Sequence, residues 1–121
     1  MTDSAGGEFY NRQVKFLEGN DVEGLISNQY HPDATVVSFD FVVRGREALR
    51  THFHNYLNHL GHLKLISTDK FAETEDSIFF EATVDVAGGT ARVYDVFILR
   101  DGKATHHFTG LLGFTPKESS G

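Results

Sequence analysis

Ile78-Phe-Phe-Glu-Ala-Thr-Val-Asp-Val86, Ala87-Gly-Gly89 and Thr90-Ala-Arg-Val-Tyr-Asp-Val-Phe-Ile-Leu-Arg100 together decide the fold. In the first run Ile78, Phe80, Ala82, Val84 and Val86 alternate with Phe79, Glu81, Thr83 and Asp85, the period-two pattern of a strand buried on one face. Gly88-Gly89 supplies a hairpin turn. The second run alternates Ala91, Val93, Asp95, Phe97 and Leu99 against Arg92, Tyr94, Val96, Ile98 and Arg100. Asp101-Gly102 turns the chain again, and a last strand is expected from about Ala104 to Phe114. With Leu63, Leu65 and Phe71 leading in, this half reads as an antiparallel meander of three or four strands.

Upstream the period changes. Leu49, Phe53, Tyr56 and Leu60 recur at steps of four, three and four, which predicts a helix over 46–60 with Leu57 on the margin of its stripe and Gly61 as its stop. Ala34 to Val43 is dense in Val and Phe and reads as one strand or a short hairpin, broken by Arg44-Gly45. Tyr10, Val14 and Leu17 mark a first helix ending at Gly19-Asn20. Asp21 is placed as the N-cap of a second, closed by Tyr30-His31-Pro32, because a residue before proline avoids helical backbone. Helices followed by a meander define an α+β class.

The chain has 121 residues, 40% hydrophobic and 23% charged, which fits one domain. Its polar ends, 1–7 and 116–121, read as flexible tails around a single domain over 8–115. A net charge of -6 repels phosphate backbones and anionic membrane faces, so neither nucleic acid nor a membrane is expected as a partner. The absence of cysteine excludes disulfides, thiolate zinc sites and a Cys nucleophile. No apolar window is long enough to span a bilayer and the start lacks a signal-peptide pattern, so a cytoplasmic protein is the expectation. No phosphate loop, dinucleotide glycine motif or nucleophile elbow is present, and no cofactor is expected.

The element order, with Glu18-Gly-Asn-Asp-Val-Glu-Gly24, Asp33-Ala-Thr-Val-Val37 and Gly45-Arg-Glu-Ala-Leu49, resembles the nuclear-transport-factor-2-like superfamily, in its SnoaL-like and ketosteroid-isomerase-like branch. The resemblance implies a cone: a curved, largely antiparallel sheet wrapped around the long helix, with two further N-terminal helices. It implies a single pocket for a small hydrophobic molecule, and a homodimer formed through the sheet, whose Tyr94, Val96 and Ile98 supply an apolar outer face. Such folds host many chemistries or none. Steroid isomerases of the group use a first-helix tyrosine, an aspartate base near the first strand and a late aspartic acid. Matched on Asp21 and Asp33-Ala-Thr-Val36, this chain carries Gln13 and Ser38 at the first two positions, and only Asp95 meets its counterpart. Asp40 replaces the base only if the strand register slips by two residues.

Asp95 stands among apolar alternation partners, where desolvation raises a carboxyl pKa unless a donor or cation holds it ionised. Its neighbour on the last strand is one of His106 and His107. The family match turns His107 inward with Thr109 and Leu111, close enough to Asp95 for a hydrogen bond that orients the imidazole as a base. Asp95 and His107 are therefore the candidate catalytic pair. Tyr10, Gln13, Ser38, Asp40, Phe53, Tyr56, Phe97 and Thr109 are the candidate ligand-binding residues, and eleven phenylalanines with four tyrosines suit a flat apolar occupant. Seven histidines invite a metal reading, but His52 and His54 lie about 200° apart on a helix, and no metal is expected. His52, Asn55 and His59 are assigned to a solvated or interface flank. The leading function is a cofactor-independent isomerase, cyclase or dehydratase working by acid-base proton transfer. The alternatives are a non-catalytic binding or scaffold module and, less favoured, an epoxide hydrolase built on Asp40, Arg92 and Asp95.

Overall fold

The computed structural model describes residues 4–118. In chain order they form α1 (Ala5–Glu18), α2 (Val22–Gln29), β1 (Tyr30–Val37), β2 (Val42–Arg44), α3 (Arg46–Leu60), β3 (Leu63–Thr74), β4 (Ser77–Val86), β5 (Gly89–Arg100) and β6 (Lys103–Pro116). One sheet holds all six strands in the order β2-β1-β6-β5-β4-β3. β1 and β6 run parallel and every other pair is antiparallel, so the sheet is mixed and the class is α+β. Register shifts at Leu65/Ser67 and Thr68/Lys70 in β3–β4, and at Arg92/Val93 and Ile98/Leu99 in β5–β6, bend the long strands as bulges do. The bent strands curl over α3.

Local chemistry accounts for the boundaries, including three that the pattern reading misplaces. α1 begins at Ala5, inside the stretch read as a tail. The Ser4 hydroxyl caps it by accepting from the Gly7 N–H at 2.9 Å, and Gly6 and Gly7 are buried. A Cβ on Gly6 would stand 2.7 Å from Ile78 Cγ2, so this glycine permits a close approach of helix to sheet that composition alone reads as disorder. At the other end Pro116 closes β6 and the Lys117 N–H donates to the Gly88 carbonyl at 3.0 Å, so the expected tail is shorter there too, and 1–3 and 119–121 lie outside the described residues. β1 starts at Tyr30, before Pro32. The β1–β6 register shifts between Tyr30 and Thr35, and that irregularity accommodates a residue without an N–H. Ala34–Val43 resolves into a hairpin, with Ser38 N–H donating to the Phe41 carbonyl at 2.8 Å. On α3, Leu57 belongs to the central buried line with Leu49 and Phe53, while Tyr56 and Leu60 form its margin.

The expected Gly88-Gly89 turn shifts by one residue, since Val86 pairs with Gly89 and Ala87-Gly88 turns the chain, and the other glycine turns hold. Asp101 and Gly102 both take positive φ, 54° and 78°, as a two-residue hairpin requires, and Gly61 stops α3 at φ 78°. Phe9, Leu25, Ile26, Tyr30, Leu49 and Phe97 pack a solid core at the end of the cone closed by α1 and α2. Toward the other end the wrapped sheet leaves a cavity.

Candidate active site

The cavity has a volume of about 510 Å³, bounded by α1, α3, the β1–β2 loop and the inner face of β3 to β6. Its wall is mainly apolar: Phe53, Phe80 and Phe97 face it, with Val84, Val93 and Leu65. Ten residues were named from sequence for this site, and the structure brings all ten to the cavity wall. Asp95 and Phe97 come from β5, His107 and Thr109 from β6, Tyr10 and Gln13 from α1, Phe53 and Tyr56 from α3, and Ser38 and Asp40 from the β1–β2 loop. Strand alternation explains the sheet residues, because Asp95 pairs with Thr109 and Phe97 with His107, all four pointing inward.

Asp95 and His107 meet diagonally across β5–β6. His107 Nε2 lies 2.6 Å from Asp95 Oδ1, and its ring stacks on Phe97 at a centroid distance of 3.9 Å. The other ring nitrogen is also engaged, since Nδ1 lies 2.9 Å from the Tyr30 hydroxyl. Behind Tyr30 the chain of polar contacts continues. Gln13 Nε2 donates to Tyr30 Oη at 3.1 Å, Gln29 Nε2 donates to Gln13 Oε1 at 3.2 Å and to the Phe9 carbonyl at 2.9 Å, and Arg12 Nε donates to Gln29 Oε1 at 3.1 Å. Tyr30 and Gln29 are completely buried, and His107 is 4% exposed.

The direction of this chain is set by its ends. A guanidinium can only donate and a backbone carbonyl can only accept, so Arg12 and Phe9 fix the Gln29 amide, and Gln29 then fixes Gln13. Tyr30 Oη accepts from Gln13 and therefore has one place for its own hydrogen, His107 Nδ1. Either the Nδ1–H tautomer or the imidazolium would leave a fully buried O–H without an acceptor, at about 1–3 kcal/mol. His107 is thus the Nε2–H tautomer, and donates to the Asp95 carboxylate. The expectation that Asp95 orients His107 as a base is inverted: both ring nitrogens are occupied, and the imidazole holds the carboxylate. Asp95 Oδ2 has no hydrogen-bond partner among the described residues, and it is not sealed away, because Arg46 Nε is the only fully buried side-chain polar atom without one. It is left facing the cavity.

The Asp95 charge reaches the surrounding phenols. Burial, and then this carboxylate, push the Tyr56 hydroxyl up to about 12. Burial raises Tyr30 far above the ordinary phenol range and raises Tyr10, whose hydroxyl bonds Thr68 Oγ1 at 2.5 Å. Burial, and any positive charge on His107, lower the His52 imidazole.

Two sequence expectations are corrected. His52 lines the cavity half-buried instead of lying on a solvated flank, because the curled sheet reaches past the buried line of α3, and His59 borders the cavity while staying exposed. Arg92 stands on the opposite face of β5 and contacts Glu81 at 3.3 Å, so it cannot join Asp95 and Asp40 around a water, and the epoxide-hydrolase arrangement is not formed. Pattern reading missed Tyr30 and Gln29. Their one signal, a glutamine and a tyrosine at the helix–strand junction, was spent on ending the helix. Among the described residues no group of three His, Asp or Glu side chains is placed to hold a metal ion.

The profile of the SnoaL-like domain matches residues 10–107, which runs from α1 into β6 and contains Asp95, Phe97 and His107 but stops short of Thr109. The chain belongs to the SnoaL-like family. Solved structures, NTF2-like proteins among them, share its fold. TerC, co-crystallized with polyporic acid, superposes with a TM-score of 0.76 at 21% identity, over 89% of this chain and 92% of that one. An NTF2-like protein of Anabaena variabilis gives 0.77 at 15% identity, over 90% and 87%. A Sinorhizobium meliloti protein provisionally named a polyketide cyclase gives 0.73 at 16% identity, over 85% and 94%. No curated protein matches the sequence. No helix among the described residues is long and apolar enough to cross a membrane.

Proposed function

We propose that this SnoaL-like protein binds a small, flat, hydrophobic organic molecule and acts on it without a cofactor, as an isomerase, cyclase or dehydratase in which Asp95 takes the proton. The observation that carries this reading is the Asp95 carboxylate, held by His107 through one oxygen and open to an apolar cavity through the other. A base so placed needs no reorganisation to accept a proton from a bound C–H or O–H acid. The relatives crystallized with polyporic acid or named for polyketide cyclisation support an organic occupant of this kind. Native mass spectrometry of ligand retained on the purified protein identifies the molecule. Incubation of that molecule with Asp95→Asn is expected to slow conversion by roughly 10²–10⁴-fold. Conversion at the wild-type rate by that variant overturns the assignment.

A second reading, a binding module that performs no reaction, is favoured by one observation. Gln13, at the position where steroid isomerases of the group carry a donor tyrosine, spends its amide on Tyr30 and Gln29. A retained ligand that the wild-type protein leaves unchanged decides for this reading. In either case a homodimer through the sheet is proposed. Phe79, Val96 and Phe108 are register partners across three strands of the outer face, and Phe79 and Phe108 are exposed. Monomeric sedimentation at micromolar concentration overturns it.

A further inference from the structure

The 27 residues around the cavity include two aspartates and three histidines but no lysine or arginine. A bound carboxylate or phosphate would therefore meet Asp95 without a fixed counter-charge. The other titratable groups around it are Tyr10 from α1, Tyr56, His52 and His59 from α3, Asp40 from the β1–β2 loop, and His107 with Tyr30 behind it. None is a permanent cation. Among the described residues the only fixed positive charge connected to Asp95 is Arg12, which stands on the surface at the far end of the Gln29–Gln13–Tyr30–His107 chain.

We propose that the site is charge-selective: the cavity takes flat uncharged molecules that present an O–H or N–H to Asp95 Oδ2 and turns away carboxylates and phosphates. This rests on the reading that the cavity holds a small organic molecule, and adds which chemical class it admits. The reason is the polarity of the chain. Every link donates toward the cavity, so the last donor, His107 Nε2–H, is fixed on Asp95 Oδ1, and a neutral imidazole brings no counter-charge to it. The second carboxylate oxygen is an acceptor. A ligand donor completes the chain, whereas a ligand anion places like charge on like charge inside an apolar wall, where screening is weak.

The test uses a matched pair of probes, 2-naphthol and 2-naphthoate, titrated calorimetrically into the full chain at neutral pH. Wild type is expected to prefer the uncharged naphthol by at least about tenfold, a gap of one decade in Kd. Asp95→Asn is expected to narrow the gap to within about twofold. Nitrogen-15 NMR of the ligand-free protein reads His107 directly, with Nδ1 bare and Nε2 carrying the hydrogen in wild type. A protonated Nδ1 in wild type overturns the proposal. So does equal affinity for the two probes, a preference that survives Asp95→Asn, or no binding of either probe. Should the preference fail while Asp95→Asn still abolishes conversion of the retained ligand, the catalytic reading stands and the selectivity falls. If the preference holds with no conversion by any variant, the outcome is the reverse.

Discussion

Phe97 and Leu111 both belong to the β5–β6 hairpin and both reach the cavity wall, yet Phe97 is fully buried and Leu111 is 62% exposed. The difference lies in what covers the strands. Phe97 packs against Phe9 of α1 at 5.0 Å, against Phe80 at 6.1 Å and against His107 at 3.9 Å. Leu111 and Phe114 lie beyond the reach of α1 and α2, on the part of the curl that stays open. The closed end is crowded, dry and threaded by a completely partnered polar chain. The open end is an apolar rim with few obligations. A pocket built this way fixes the orientation of its one reactive carboxylate while leaving its mouth free to fit different occupants, and that division accounts for a single fold hosting many chemistries.

The comparison breaks most readily at Phe97. Phe97→Ala removes a buried ring from four aromatic contacts and is expected to cost about 3–5 kcal/mol, read by urea denaturation. A loss below about 1 kcal/mol would mean that the closed end is as loosely packed as the mouth. Tyr30→Phe keeps the ring but strands the Gln13 N–H, and is expected to cost about 1–3 kcal/mol in the same measurement. An unchanged midpoint would show that the hydrogen bonds of the chain carry no net stability. Leu111→Ala should stay within about 0.5 kcal/mol of wild type while loosening the retained ligand. A larger loss would place the rim inside an interface and remove the contrast.

Much of this architecture is written in local pattern. The alternation through β4 and β5, the Asp101-Gly102 turn and the α3 stripe need only period and turn chemistry to be read, because a half-buried strand or helix must repeat its apolar residues at its own pitch. The inward placement of Asp95 and His107 follows from the same alternation, given the register of one hairpin. Other features obey no local rule. Gly6-Gly7 looks like a tail and is a buried helical turn, because its partner Ile78 is some seventy residues away. Pro32 looks like a terminator and lies within a strand, because the neighbouring strand shifts register to admit it.

By itself the sequence determined the class of fold, the strand faces and the identity of the carboxylate that looks inward, since these depend on spacing along one segment. The protonation of His107, the role of Tyr30 and Gln29, and the place of His52 and His59 at the cavity were decided only in three dimensions. Each depends on which donor meets which acceptor across elements as far apart as Tyr30 and His107, 77 residues along the chain, and no periodicity encodes that.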